Sequence, residues 1–379
     1  MIPHVRALEC IRRMCGGSQS KLMRCSDGEL YVVKFQNNPQ GIRILANEVI
    51  AALLASILRL PVGQTAIVDV HRDLIRFTDK MIIEYPECRV PCRAGLCFGS
   101  LCETPPPFYR AVYDFLPEEL FANVANVSDL PGILVFDKWT SNMDNRQLVF
   151  VPTDDQAGPY RQYRAVMVDN GHCFNGTKWN FPDAMRWGIY FQRSAYKTVN
   201  GLESMEPWLE RLAAARLEDV LNRALEEIPS EWYRCNRKAL CRLFAKLDTR
   251  RKCVGDLLIQ TRRAYPELFP AWPLRSYSHV GARHGVEPRR IRSRALASRS
   301  VPPDPKRQAS GGGAVIGADQ LDALSYAHVV GRILHPLRDE QTGHDQVSVP
   351  RERVVSQAAP TGGPNQVTTL DAALKLASN

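Results

Sequence analysis

At 379 residues the chain is long enough for two core-bearing lobes, and its apolar content is ordinary for a globular protein. Its 49 Lys and Arg against 40 Asp and Glu give a net charge of +9, and no apolar run reaches the roughly 20 residues that span a bilayer, which excludes a spanning helix. MIPHVRALEC lacks the charged-then-apolar start of a signal peptide, and an odd eleven cysteines suit reduced thiols better than a disulfide framework, so a cytoplasmic protein is expected.

The first readable element is LMRCSDGELYVVKF, Leu22 to Phe35, two short strands around the turn residues Ser26-Asp27-Gly28. Just before it lies Gly16-Gly17-Ser18-Gln19-Ser20-Lys21. At Gly16, Gly17 and Ser18 backbone N–H groups can approach a phosphate because no large side chain blocks them, and Lys21 closes the loop; the plainer reading is a flexible turn. The spacing is not that of a Walker A loop. Lys34 sits in the β-branched run Tyr31-Val32-Val33, where a lysine is out of place, on the face shared with Val32. After a turn at Asn37-Asn38-Pro39 an amphipathic helix is expected from about Gly41 to Leu58, with Glu48 as its single acid.

Thr65–Val70 and Met81–Glu84 read as further strands. The stretch from Tyr85 to Pro107 is rich in Pro, Cys and Gly and poorly periodic, which suits a crossover between lobes. Cys88, Cys92, Cys97 and Cys102 fall within it, but without a C-x-x-C pair or a nearby His they read as incidental thiols rather than a zinc site. Residues 108–135 turn helical, with Pro117 at one helix start and Ser128-Asp129 capping a second helix from Leu130 to about Lys138.

That helix leads into FDKWTSNMDNRQLVF, Phe136 to Phe150, which crowds Asp137, Asn142, Asp144, Asn145 and Gln147 into eleven residues. A strand from Gln147 to Phe150, a turn at 154–159 and a returning strand from Tyr163 to Val168 then end at Asp169-Asn170-Gly171. Two oxygen-rich loops joined by a hairpin suit Mg²⁺, which takes one or two carboxylates and completes its shell with water and phosphate. Residues 205–265 are helical, with a break at Ile228-Pro229-Ser230. Beyond Pro273 periodicity fails, and the tail reads as mostly disordered. Residues 271–310 carry nine Lys and Arg against two acids, a solvated arm whose other reading is contact with nucleic acid or an anionic membrane.

GGSQSK, YVVK, the ANEVIAALLA helix with Glu48, N-x-D within WTSNMDNRQ, and VDNG occur in an order that resembles the HipA-like kinases, a branch of the protein-kinase-like fold that also resembles the phosphoinositide kinases. The resemblance covers roughly residues 10–265. It implies an α+β bilobal fold: a small N-terminal antiparallel sheet lobe (1–86), an inter-lobe connection (87–107), a helical C-terminal lobe (108–270) and a basic tail (271–379). It also implies ATP and Mg²⁺ as cofactors. Lys34 would bind the α/β-phosphates and Glu48 would hold it, Asp144 would orient or deprotonate the acceptor hydroxyl, and Asp169 would chelate Mg²⁺.

The usual Asn five residues after the catalytic Asp is absent, since Val149 stands there. In the favoured reading Gln147 takes the metal-facing amide position and Asp137 closes a helix end or pairs with a basic residue such as Arg146. In the other, Asp137 is the catalytic Asp and Asn142 the metal ligand. The function implied is an ATP- and Mg²⁺-dependent kinase acting on a hydroxyl, with a protein acceptor favoured over lipid. The alternative is a non-catalytic nucleotide-binding pseudokinase or interaction module.

Overall fold

Val5, Ala7, Met23, Val33, Phe35, Val68 and Cys97 turn inward from five strands and bury one another, and those strands close into a barrel. The computed structural model describes residues 1–102, 112–153 and 162–273. In chain order the strands are β1 (His4–Arg13), β2 (Lys21–Cys25), β3 (Leu30–Lys34), β4 (Thr65–Val70), β5 (Ile82–Glu84), β6 (Arg89–Pro91) and β7 (Gly95–Leu101). The barrel order is β1-β2-β3-β7-β4, and β5 and β6 form a separate ribbon. All the barrel pairings are antiparallel except β1 with β4, so one parallel pair closes the sheet that was expected to be antiparallel throughout.

β2 and β3 form the expected hairpin, with Lys21 opposite Val33 and Arg24 opposite Leu30. Two barrel strands fall where sequence reading placed none. β1 carries two register shifts, which break its alternation of buried and exposed residues. β7 lies inside the stretch read as the inter-lobe connection, yet it pairs with both β3 and β4. Its middle residues Cys97, Phe98 and Gly99 are all buried, so the period-two signal vanishes. The chain therefore leaves the barrel only after Leu101. Of the cysteine group, Cys92 and Cys97 pack in the barrel interior.

Between β3 and β4 runs α1 (Arg43–Ile57), whose residues from Ile44 to Ala55 are all buried. A helix buried all round is a core element. Leu45, Val49, Leu53 and Leu54 join a second core that extends through Leu134, Trp139, Phe150, Phe174, Trp208, Trp232 and Leu247. A short helix α2 (Arg72–Arg76) follows β4, and α3 (Leu130–Thr140) begins after Asp129 with Pro in its first turn. The strands β8 (Gln147–Pro152) and β9 (Tyr163–Val168) form the predicted antiparallel hairpin. Its turn lies outside the described residues.

The helices α4 (Glu206–Ala214), α5 (Leu217–Glu227), α6 (Arg237–Arg250) and α7 (Val254–Ala264) complete the core, interrupted at Pro229 and Ser230 as the sequence implies. No helix among the described residues is long and apolar enough to cross a membrane. The basic arm and the rest of the tail lie outside the described residues.

Candidate active site

Strand alternation sends Tyr31, Val33 and Phe35 into the barrel and leaves Lys34 on the opposite face. There its Nζ donates to Glu48 Oε1 at 2.5 Å and to Asp169 Oδ1 at 2.7 Å. Lys34 and Glu48 are both buried. Burial works against the ammonium, but the carboxylates of Glu48 and Asp169 outweigh it and hold Lys34 above its ordinary value. Burial likewise opposes ionisation of Asp169, yet the adjacent Lys34 keeps its carboxyl below the usual range. Glu48 is the costly member, since burial pushes its carboxyl up despite Lys34. One ammonium facing two carboxylates leaves a surplus of negative charge.

α1 grips the loop that carries Asp169. The Asn170 N–H donates to Glu48 Oε2 at 2.9 Å. One residue earlier on the helix, Asn47 Nδ2 donates to the carbonyls of Gly171 (2.7 Å), Gly176 (2.9 Å) and Cys173 (3.2 Å), while its Oδ1 accepts from Trp179 Nε1 at 2.8 Å. The loop needs such anchoring, because Asp169, Phe174 and Asn175 all adopt left-handed backbone conformations, with φ of 52°, 63° and 57°. The pairing of Gln147 with Val168 brings the start of β8 level with Asp169.

Asp137 and Asp144 end up in different surroundings. Asp137 is buried on α3, where Arg146 Nε donates to its Oδ2 at 2.8 Å and Arg146 Nη2 to its Oδ1. Asn142, also buried, donates to Asp137 Oδ1 at 3.0 Å. Arg146 goes on to donate to Asn170 Oδ1 (2.8 Å) and the Val168 carbonyl (3.1 Å). Burial would push this guanidinium down, but Asp137 holds it firmly charged. Asp144 is half-buried; its Oδ1 accepts from the Asn145 N–H at 2.8 Å and its Oδ2 from Gln147 Nε2 at 3.3 Å. The Gly188 N–H donates to its carbonyl at 2.8 Å. Gln147 is exposed.

The glycine loop joins the site through Gln40. A Cβ on Gly17 would stand 3.0 Å from Gln40 Nε2, so glycine permits this approach. Gln40 Nε2 in turn lies 3.0 Å from His172 Nε2, on the loop after Asp169. Ser18 is buried, and Gly16 adopts a φ of +113°. Lys21 is not brought to this cluster. Its Nζ donates to the carbonyls of Gln19 (2.8 Å) and Ile82 (3.0 Å), pinning the base of the loop to β5. The Gln19 side chain adds two bonds to the Glu84 backbone.

The structure thus assembles Lys34, Glu48, Asp169 and Asn170 in one contact network, reaching through Arg146 to Asp137 and Asn142. Sequence reading missed Asn47 and Lys138, named Asn170 only as part of the turn after Asp169, and named Arg146 only as a partner for Asp137. For Asn47 and Lys138 the available signal was a polar side chain within a largely apolar run. For a metal, no group of three His, Cys, Asp or Glu exists among the described residues. Mg²⁺ does not need one, and the negative surplus at Asp169 with an amide nearby fits its preference for oxygen donors.

A strand lysine bridged to a helix glutamate and a loop aspartate is an arrangement that kinases use to fix a lysine toward phosphates. The family model for HipA-like kinases matches residues 7–256, and the chain belongs to that family. No curated protein matches the chain. Among solved structures, the proinflammatory kinase CtkA of Helicobacter pylori is similar over 68% of this chain and 98% of its own, at 14% identity and a TM-score of 0.41. A Golgi casein kinase with Mn and ADP bound is 13% identical over 65% of this chain and 72% of its own, with a TM-score of 0.34.

Proposed function

We propose that the protein is an ATP- and Mg²⁺-dependent phosphotransferase that moves the γ-phosphoryl group to a hydroxyl, with a protein acceptor favoured over lipid. The observation that carries this reading is the buried Lys34 ammonium held between Glu48 and Asp169. A lysine fixed in this way presents its charge to the α/β-phosphates of ATP without conformational loss. Family membership supports the same reaction class.

The acceptor oxygen forms a bond to the γ-phosphorus as the bond to the bridging oxygen breaks and ADP leaves, and the hydroxyl proton passes to Asp144. Asp144 suits that role because its carboxylate is partly exposed, whereas both oxygens of Asp137 are taken by Arg146. Gly16, Gly17 and Ser18 offer backbone N–H groups to the phosphates, with Gln40 and His172 beside them. Mg²⁺, held by Asp169 with Gln147 as the amide ligand, would supply charge neutralisation.

The test is a thermal-shift titration with ATP, with and without Mg²⁺, run beside a phosphoryl-transfer assay for wild type and Asp169→Asn. Wild type should bind ATP more tightly with Mg²⁺ and turn over, and Asp169→Asn should lose both the Mg²⁺ effect and transfer. Nucleotide binding without turnover in wild type would instead establish a binding module, and normal turnover by Asp169→Asn would remove the metal assignment.

A further inference from the structure

Lys138 follows Asp137 on α3, a helix whose every residue is buried, and the phosphate site makes no use of it. An ammonium or amine in such a place has to be hydrogen-bonded. Its Nζ donates to the carbonyls of Met185 (2.7 Å) and Trp187 (2.6 Å). These are alternate residues of one segment, so a single side chain satisfies the face that the segment turns toward α3. Neighbouring contacts reinforce it: Ser141 Oγ donates to the Pro182 carbonyl at 2.9 Å, and Arg250 bridges Asp183 (2.6 Å) and the carbonyl of Lys138 itself (3.1 Å).

The segment held in this way continues directly onto the loop of Asp144. The Gly188 N–H donates to the Asp144 carbonyl at 2.8 Å, and the Arg146 N–H donates back to the Ile189 carbonyl at 3.0 Å. Gly188 has a φ of +69°, and any Cβ there would run into the Asp137 side chain, so the strap lies against the helix with no room to spare. Burial pushes the Lys138 ammonium down to about 7, assisted by Arg250 and opposed by Asp137 and Asp183. Even the neutral amine keeps two N–H groups, one for each carbonyl.

We propose that Lys138 is a positioning residue for Asp144: by holding the carbonyls of Met185 and Trp187 it seats the Gly188 N–H on the Asp144 backbone and fixes where that carboxylate meets the acceptor. This rests on the kinase reading of Asp144. It predicts a defect in the chemical step rather than in nucleotide binding. Lys138→Met keeps the aliphatic stem and removes both donors. It should keep the ATP dissociation constant and lower kcat on the order of 10²-fold, the scale of a small misplacement of a catalytic group.

A role in stability alone would lower the melting temperature and leave the kcat of the folded fraction unchanged, which would overturn the proposal. The Gly188 amide supplies a readout that requires no turnover. In wild type it should be protected from hydrogen exchange, and rapid exchange there would also overturn the proposal. If wild type transfers no phosphoryl group to any hydroxyl acceptor, the kinase reading fails separately; the positioning contact then stands if Gly188 protection is present in wild type and lost in Lys138→Met while the barrel amides stay protected, and falls if Gly188 exchanges rapidly in wild type or stays protected in the variant.

Discussion

Asp137 and Asp144 belong to one polar run, yet the fold gives them opposite tasks. Asp137 neutralises a buried guanidinium, and removing its charge leaves Arg146 uncompensated among Val168, Asn170 and α3. Asp137→Asn should therefore cost about 3–5 kcal/mol of stability, seen as a lowered unfolding midpoint. Asp144→Asn should melt like wild type and lose roughly 10²–10⁴ in transfer rate, the usual worth of a positioned acid or base. A stable, inactive Asp137→Asn beside an active Asp144→Asn would exchange the two roles. Lys34, Glu48 and Asp169 were legible in the sequence because each is a charged residue in an apolar setting at a telling spacing. The partners of Asn47 were not, because they lie more than 120 residues away along the chain.

Among the elements, α1 couples the barrel to the loop that carries Asp169. Its expected extent and its glutamate were readable from periodicity, whereas β1 and β7 were not, the one broken by bulges and the other buried along its middle. α1 holds the loop in large part through Asn47, whose two amide N–H groups are shared among three carbonyls and whose oxygen accepts one indole N–H. Asn47→Leu leaves those groups buried and unsatisfied, at a cost on the order of 3 kcal/mol. Denaturant unfolding should show that loss, and hydrogen exchange across 171–176 should quicken ahead of exchange in the barrel. Unchanged exchange in that loop would mean that α1 does not hold it.

At the scale of the molecule, both hydrophobic cores and every candidate site residue among the described residues lie before Pro273, and the family match ends at residue 256. Trp272 packs edge-on against Phe269 and accepts from Arg262 Nε through its carbonyl at 2.9 Å. A chain ending at Pro273 should keep the melting temperature and ATP affinity of the full protein. If the arm over 275–307 contacts nucleic acid, the same truncation should abolish DNA binding and its salt dependence; unchanged affinity and slope would clear the arm of that role.

The sequence by itself determined the family, through the order of its motifs, together with the two hairpins, α1 and the out-of-place charges of Lys34, Glu48 and Asp169, because local periodicity and a charge in an apolar setting are short-range signals. Only the tertiary structure decided that Lys21 serves the loop's base, that Asp137 belongs to Arg146, and that Lys138 holds the strap beside Asp144. A buried polar group takes whichever partner the packed chain brings within reach, and that choice has no local trace in the sequence.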